Sequence, residues 1–150
     1  MPSPPAQSLL SVRSLLVALL LPVLLSGPGG CGRIKEDRKA NALEAVTRTY
    51  AEAIRWGYYP AAVGFLSPEV RGDVDLEALK NIRVTGYEVI QPPVIDPDDA
   101  AVQLVQVDYV LNDRQVLRSL TDRQVWRWNE AGASWWLQTS LPAFVGSGPE

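Results

Sequence analysis

The feature that most constrains the fold is a change of hydrophobic period at Asn81. Before it, apolar residues recur at spacings of three and four. Leu43, Val46, Tyr50, Ala53 and Ile54 do so between Ala40 and Trp56, which predicts an amphipathic helix ended by Gly57. Tyr59 to Leu66 predicts a second, shorter helix. Pro60 suits its first turn, where a missing N–H costs nothing, and Ser67-Pro68 stops it. A third helical piece is expected over Glu69 to Lys80, with Val70, Leu76 and Leu79 inward and Asp75 as N-cap.

After Asn81 the pattern is that of strands. Val84 to Ile90 is β-rich and is expected to break at Pro92-Pro93. Asp96 to Asp99 reads as a solvated acidic turn rather than a calcium loop, since it lacks the glycine and terminal glutamate of such a loop. Ala101 to Leu111 and Gln115 to Trp128 are long strands joined by a turn at Asn112-Asp113. Asn129 to Ala133 is a further turn, with Gly132 suited to positive φ, and Ser134 to Leu141 is the last strand. Helices followed by strands predict an α+β fold, with N-terminal helices packed on one face of a curved antiparallel sheet of about four strands. The expected layout is a signal peptide over 1–30, a tether over 31–39, one domain over 40–142 and a loose tail over 143–150.

The last hairpin offers a candidate ligand site. With its turn centred on Ala131, residues whose numbers sum to 262 face each other. Trp126 then opposes Trp136, and Gln124 opposes Gln138, with Asp122 on the same face. Trp126 and Trp136 would supply apolar area while Asp122, Gln124 and Gln138 orient a ligand, the usual make-up of a small-molecule site. The competing reading is a half-exposed sheet face whose tryptophans pack across strands or against a second subunit. Asp108 and Tyr109, being adjacent in a strand, point to opposite faces and do not share a site. Trp56, Tyr58 and Tyr59 are expected to pack as core or lid at a helix junction.

The chain begins with a different kind of segment. Ser14 to Leu25 is an apolar run of about twelve residues, of signal-peptide length. That is too short for a helix to cross a hydrocarbon layer of about 30 Å, which takes about 20 residues. Arg13 precedes it and the small residues Ser26, Gly27, Gly29 and Gly30 follow, ahead of Cys31, the only cysteine. A lone cysteine forms no internal disulfide. Arg13 is the sole charged side chain of this leader, so residues 31–150 hold 13 basic and 17 acidic groups, a net charge of −4. That balance argues against nucleic acid as a partner. The 150-residue chain has no histidine, which excludes Ser-His-Asp and Cys-His catalysis and histidine-bearing zinc sites. No cofactor is expected.

Two resemblances add to these readings. Cys31 after Gly30 resembles the cleavage and lipidation site of a bacterial lipoprotein, although Pro28 and Gly29 depart from the usual residues there. The resemblance implies lipid on Cys31 and membrane attachment facing the periplasm. Gly32 at the next position, rather than aspartate, implies the outer membrane. Plain secretion after cleavage near Gly30 and an uncleaved N-terminal anchor remain open. Further on, AEAIRWGYYPAAVGFLSPEVR (51–71), IRVTGYEVI (82–90), DDAAVQLVQVDYVL (98–111) and the closing Trp136-Leu137-Gln138 resemble small bacterial lipoproteins of the nuclear transport factor 2-like superfamily, over about residues 38 to 142. That likeness implies a cone-shaped α+β fold. Several members of the superfamily isomerise, cyclise or dehydrate small polycyclic molecules inside the cone, and others bind or dimerise. No catalytic motif of the superfamily is matched. Three functions follow as expectations: a lipid-anchored envelope domain that binds an envelope protein or small hydrophobic ligand, an enzyme acting on a small hydrophobic substrate, or an assembly subunit that homodimerises through its sheet.

Overall fold

The computed structural model describes the backbone of residues 30–145 and the side chains of residues 32–145. The predicted leader therefore lies outside the described residues except for Gly30, and so do the Cys31 thiol and residues 146–150. The chain divides into two compact units, Met1–Lys35 and Glu36–Glu150. The described part of the first is the opening of helix α1 (Gly30–Arg55). Among the described residues no helix is long and apolar enough to cross a membrane.

The second unit is α+β. After α1 come α2 (Tyr59–Val63), α3 (Pro68–Arg71), a 3-10 turn at Ala78–Asn81, and strands β1 (Ile82–Ile95), β2 (Ala100–Leu111), β3 (Leu117–Asn129) and β4 (Ser134–Leu137). The strands form one antiparallel sheet in the order β1-β2-β3-β4. The apolar stripe of α1 packs on one face of it. Leu43, Tyr50, Ala53 and Ile54 are buried there, and the Tyr50 ring meets Trp126 of β3 edge-on at 5.5 Å. Odd-numbered residues of β2 (Ala101, Gln103, Val105, Val107, Tyr109) and even-numbered residues of β3 (Asp122, Gln124, Trp126) make the buried face. The core residues all lie between Ala42 and Phe144, so this unit carries its own core.

Several elements depart from the sequence expectation. The expected tether is helical: α1 starts at Gly30, since residues 33–39 contain good helix formers and no proline. Lys39 is a clamp within the fold. Its Nζ lies 2.8 Å from Asp99 Oδ2 and 3.0 Å from Glu130 Oε1, and 5.5 Å over the Trp128 ring. Its carbonyl accepts the Trp135 indole N–H at 2.9 Å. Lys39 thus joins α1 to the two turns at one end of the sheet, and the Asp99 carboxylate raises its pKa. Asp96 Oδ1 meanwhile accepts the backbone N–H groups of Asp98 and Ala100.

β1 runs on through Pro92-Pro93 instead of breaking. It is an edge strand, where a proline's missing N–H need not leave a ladder bond unmade. Register shifts fall between Val84 and Gly86, Val89 and Gln91, and Gln91 and Val94, so bulges absorb the misfit. The helical piece expected over Glu69 to Lys80 is split into α3 and the 3-10 turn. Asp75 lies between them and accepts the N–H groups of Glu77 and Ala78, while the turn's N-cap position is Glu77 and Leu76 is exposed. Trp56 and Tyr58 are also exposed, and of that junction only Tyr59 joins the core. Phe144 is no loose tail. It is buried edge-on to Tyr109 at 4.9 Å, and the Tyr109 hydroxyl accepts the Val145 N–H.

β4 ends at Leu137, short of the expected Leu141. Its outer edge is closed by the segment after α2: Leu137 N–H donates to the Phe65 carbonyl, and Ser67 N–H donates to the Leu137 carbonyl, each at 2.8 Å. That pairing covers an edge that would otherwise be open to other chains.

Replacing Trp126 by alanine should cost about 3–5 kcal/mol, because it removes the largest fully buried side chain and leaves a cavity under Tyr50. Urea denaturation of residues 33–150 measures this, and a loss under about 1 kcal/mol would show that Trp126 is not the centre of the core.

Candidate functional site

The β3–β4 hairpin decides which predicted site residues meet. Trp126 pairs with Leu137, Arg127 with Trp136, Trp128 with Trp135 and Asn129 with Ser134. The numbers sum to 263, one more than the sequence reading. The cause lies in the loop. Asn129 Oδ1 accepts the Gly132 N–H, and positive φ falls at Ala133 (45°) rather than at Gly132. An even loop of residues 130–133 results. A slip of one residue moves every side chain of β4 to the other face.

Asp122, Gln124 and Trp126 therefore share the buried face, whereas Trp136 and Gln138 lie on the opposite one. Trp136 stacks under Arg71, whose Cζ is 5.6 Å from the ring centroid, and donates its indole N–H to Ser134 Oγ at 2.9 Å. Gln138 Nε2 donates to the Trp136 carbonyl at 3.4 Å. With Arg127 and Glu69 they line a depression of about 330 Å³. Of the remaining predicted residues, Trp126 is core: its flanks are sealed by Tyr50 and its indole nitrogen has no hydrogen-bond partner.

Asp122 and Gln124 belong to a polar network that the sequence reading only half contained. Gln124 Nε2 donates to Asp122 Oδ2 at 2.8 Å and to the Tyr87 hydroxyl at 3.0 Å. Gln103, directly across the β2–β3 ladder, donates its Nε2 to Gln124 Oε1 at 3.2 Å. Gln103 is 2% exposed, Gln124 0% and Asp122 8%, so these three groups sit inside the fold. Tyr87 is half-buried at the network's outer end. Buried polar groups of this kind persist only when they are satisfied by partners.

Burial sets the electrostatics. It raises the Asp122 carboxyl above its ordinary range, against the Gln124 hydrogen bond that favours the charged form. It also pushes the Tyr87 phenol up to about 12, with the Asp122 charge adding to the effect. Tyr50 is raised well above its ordinary value by burial, then by Asp122 and Tyr87, and its hydroxyl has no hydrogen-bond partner. Near neutral pH Tyr87 is thus a proton donor in hydrogen bonds and not a base.

The network opens on a cleft of about 440 Å³ between α1 and β1. Ala51, Val89, Pro92 and Pro93 give it apolar walls, and Thr47, Tyr87 and Gln103 give it a polar floor. Thr47 is already engaged, donating to the Leu43 carbonyl at 2.9 Å. Four exposed charges of α1 (Glu44, Arg48, Glu52, Arg55) also line it. Asp122 does not line the cleft and lies behind Gln124. A second depression, about 560 Å³ and bounded by Ala45, Val46, Phe65 and Trp135, is larger, but none of the four network residues lines it. Volume alone would select it. The buried polar floor selects the first, because a ligand site needs groups that fix orientation.

The sequence reading missed Tyr87 and Gln103. Gln103 was detectable: it is in phase with Ala101, Val105 and Val107 along β2, so alternation alone puts it on the buried face. Tyr87 was not, since counting from Val84 sends it outward and only the register shift before Gly86 turns it in. Among the described residues no three potential ligands gather to hold a metal ion. Asp108 and Tyr109 do part to opposite faces: Tyr109 is core, while Asp108 accepts the Ser119 hydroxyl and a Gln106 N–H on the other side.

Comparison of the chain with models of known protein families, with curated proteins and with solved structures finds no match in any of the three.

Asp122→Asn should stabilise the domain, and by more at pH 7 than at pH 4. A raised folded-state pKa means that the native state binds the proton more tightly than the unfolded chain does. Stability from this group is then highest below the unfolded value and falls as pH rises through the folded one. The difference in Tm between variant and parent at the two pH values isolates this group. A difference that shrinks at pH 7 would contradict the assignment.

Proposed function

We propose that this chain is a lipid-anchored protein of the bacterial cell envelope, with an α+β domain of the nuclear transport factor 2-like cone type that binds a small apolar ligand without converting it. The leader and the Gly30-Cys31-Gly32 junction motivate the anchor and its placement on the outer membrane facing the periplasm. The observation that carries the binding reading is the cleft between α1 and β1. It joins apolar walls to a small set of convergent polar groups, Tyr87 and Gln103, that are held from behind by Gln124 and Asp122.

The same arrangement speaks against catalysis in the cleft. Proton transfer needs a base within hydrogen-bond reach of the substrate. The carboxylates that line the cleft, Glu44 and Glu52, are exposed on α1, and Asp122 lies behind the Gln124 amide, so the floor itself carries no base. Tyr87, held near 12, does not ionise at working pH.

Two experiments test the two halves separately. Cys31→Ser should move the protein from the membrane to the soluble periplasmic fraction, and unchanged membrane retention would end the lipid-anchor reading. For the domain, Nile red, a neutral dye that brightens in apolar surroundings, should bind residues 33–150. Ala51→Trp, which fills the cleft from α1, should weaken that binding at least about tenfold, a change of about 1.4 kcal/mol. Ala45→Trp, on the other flank of the helix, should leave it unchanged. Equal binding by both variants would place the dye elsewhere and remove the cleft as the site.

A further inference from the structure

The hydrogen bonds beneath the cleft have a direction, and that direction is set from one end. In its ionised form Asp122 can only accept. Gln124 must therefore turn its Nε2 toward Asp122 Oδ2, and the 2.8 Å contact is that bond. The second N–H of the same nitrogen goes to the Tyr87 oxygen. Both amide hydrogens of Gln124 are then used, and its Oε1 is left facing Gln103. Gln103 must answer with its own Nε2, as it does at 3.2 Å. No member of this chain can reverse without placing two acceptors together.

The consequence appears at the two groups that reach the cleft. The Tyr87 oxygen already accepts, so its own proton is available to donate. Gln103 spends one N–H on Gln124 and directs the other hydrogen of that nitrogen to the Tyr87 oxygen, which leaves its Oε1 as the acceptor. The floor thus places a hydroxyl donor beside an amide acceptor, under walls formed by Ala51, Val89, Pro92 and Pro93.

We infer that the cleft selects a neutral head group that both accepts and donates a hydrogen bond, carried on a short apolar chain or ring, with a primary amide as the simplest case. This rests on the cleft being a ligand site. A carbonyl oxygen of such a group accepts from Tyr87, and its N–H donates to Gln103 Oε1. A carboxylate head finds the donor but also meets the Gln103 oxygen and the Asp122 charge behind the floor. The cations that line the cleft, Arg48 and Arg55, are exposed on α1, and the same wall carries Glu44 and Glu52. On the floor an ammonium head finds a single acceptor, Gln103 Oε1, and loses its water there, a cost that one neutral hydrogen bond does not offset. Glu44 and Glu52 stay exposed on the α1 wall, away from the floor. Discrimination by hydrogen-bond pattern is sharp in a buried site, because the wrong ligand leaves the protein's own polar groups unpaired.

The test is an NMR titration of 15N-labelled residues 33–150 with three probes that share one tail: octanamide, octanoate and octylammonium. Octanamide should bind at least about tenfold more tightly than either ion, and it should move the side-chain amide signals of Gln103 along with the backbone signals of Ala51 and Val89. Gln103→Leu should abolish the preference while keeping weak binding of all three tails. Tyr87→Phe, which keeps the ring and removes only the donor, should reduce the preference in the same direction and serves if Gln103→Leu does not fold. Equal binding of the three probes, with Ala51 and Val89 shifting in each case, would leave the cleft as a ligand site and overturn the head-group assignment. No shift at Ala51, Val89 or Gln103 with any probe would overturn both.

Discussion

The structure depends on the contact between Tyr50 and Trp126. Both side chains are fully buried, and their rings meet edge-on, the geometry that aligns a positive ring edge with a negative ring face. The contact fixes which face of α1 meets the sheet and which face of β3 is inside. Once Trp126 is inside, alternation carries Gln124 and Asp122 inside with it. The polar network is thus a consequence of aromatic packing two and four residues away. The fold accommodates it by supplying Gln103 from the neighbouring strand and Tyr87 from the sheet edge.

The bulged edge strand turns this packing into a site. A regular β1 would have sent Tyr87 outward and left Gln124 with a hydrogen to spare in the core. The register shifts bring Tyr87 onto the inner face, and the proline pair sits where the strand passes α1. Pro92 and Pro93 serve two ends there. They offer no N–H for edge-to-edge pairing, and they form a rigid apolar wall of the cleft. At the other edge β4 is shielded by main-chain bonds to Phe65 and Ser67, so both edges of the sheet are managed, each by a different device.

Much of this was legible in the residues. The stripe Leu43-Val46-Tyr50-Ala53-Ile54 named the buried side of α1, and the long Val- and Leu-rich run named β2. Asp122, Gln124 and Trp126 were rightly put on one face, because a single strand's alternation needs no knowledge of its neighbours. Trp136 and Gln138 were assigned to the wrong face for the opposite reason. Their placement depended on a turn whose length was set by Asn129 capping Gly132 and by Ala133 taking positive φ. Phe144 escaped notice because its partners, Tyr59 and Tyr109, are distant in the chain and no local pattern marks it.

The sequence by itself determined the order of helices and strands, the α+β class and the inward phase of each long element. All of these follow from the spacing of apolar residues within one segment. It also determined that no histidine chemistry is available, because the residue is absent. Only the tertiary structure decided which segments share a face. The one-residue register of the last hairpin, the bulges that turn Tyr87 inward and the meeting of Gln103 with Gln124 are relations between segments. Each is settled by how backbone hydrogen bonds and buried rings fit together at once, and the free energy that separates neighbouring registers belongs to the packed whole.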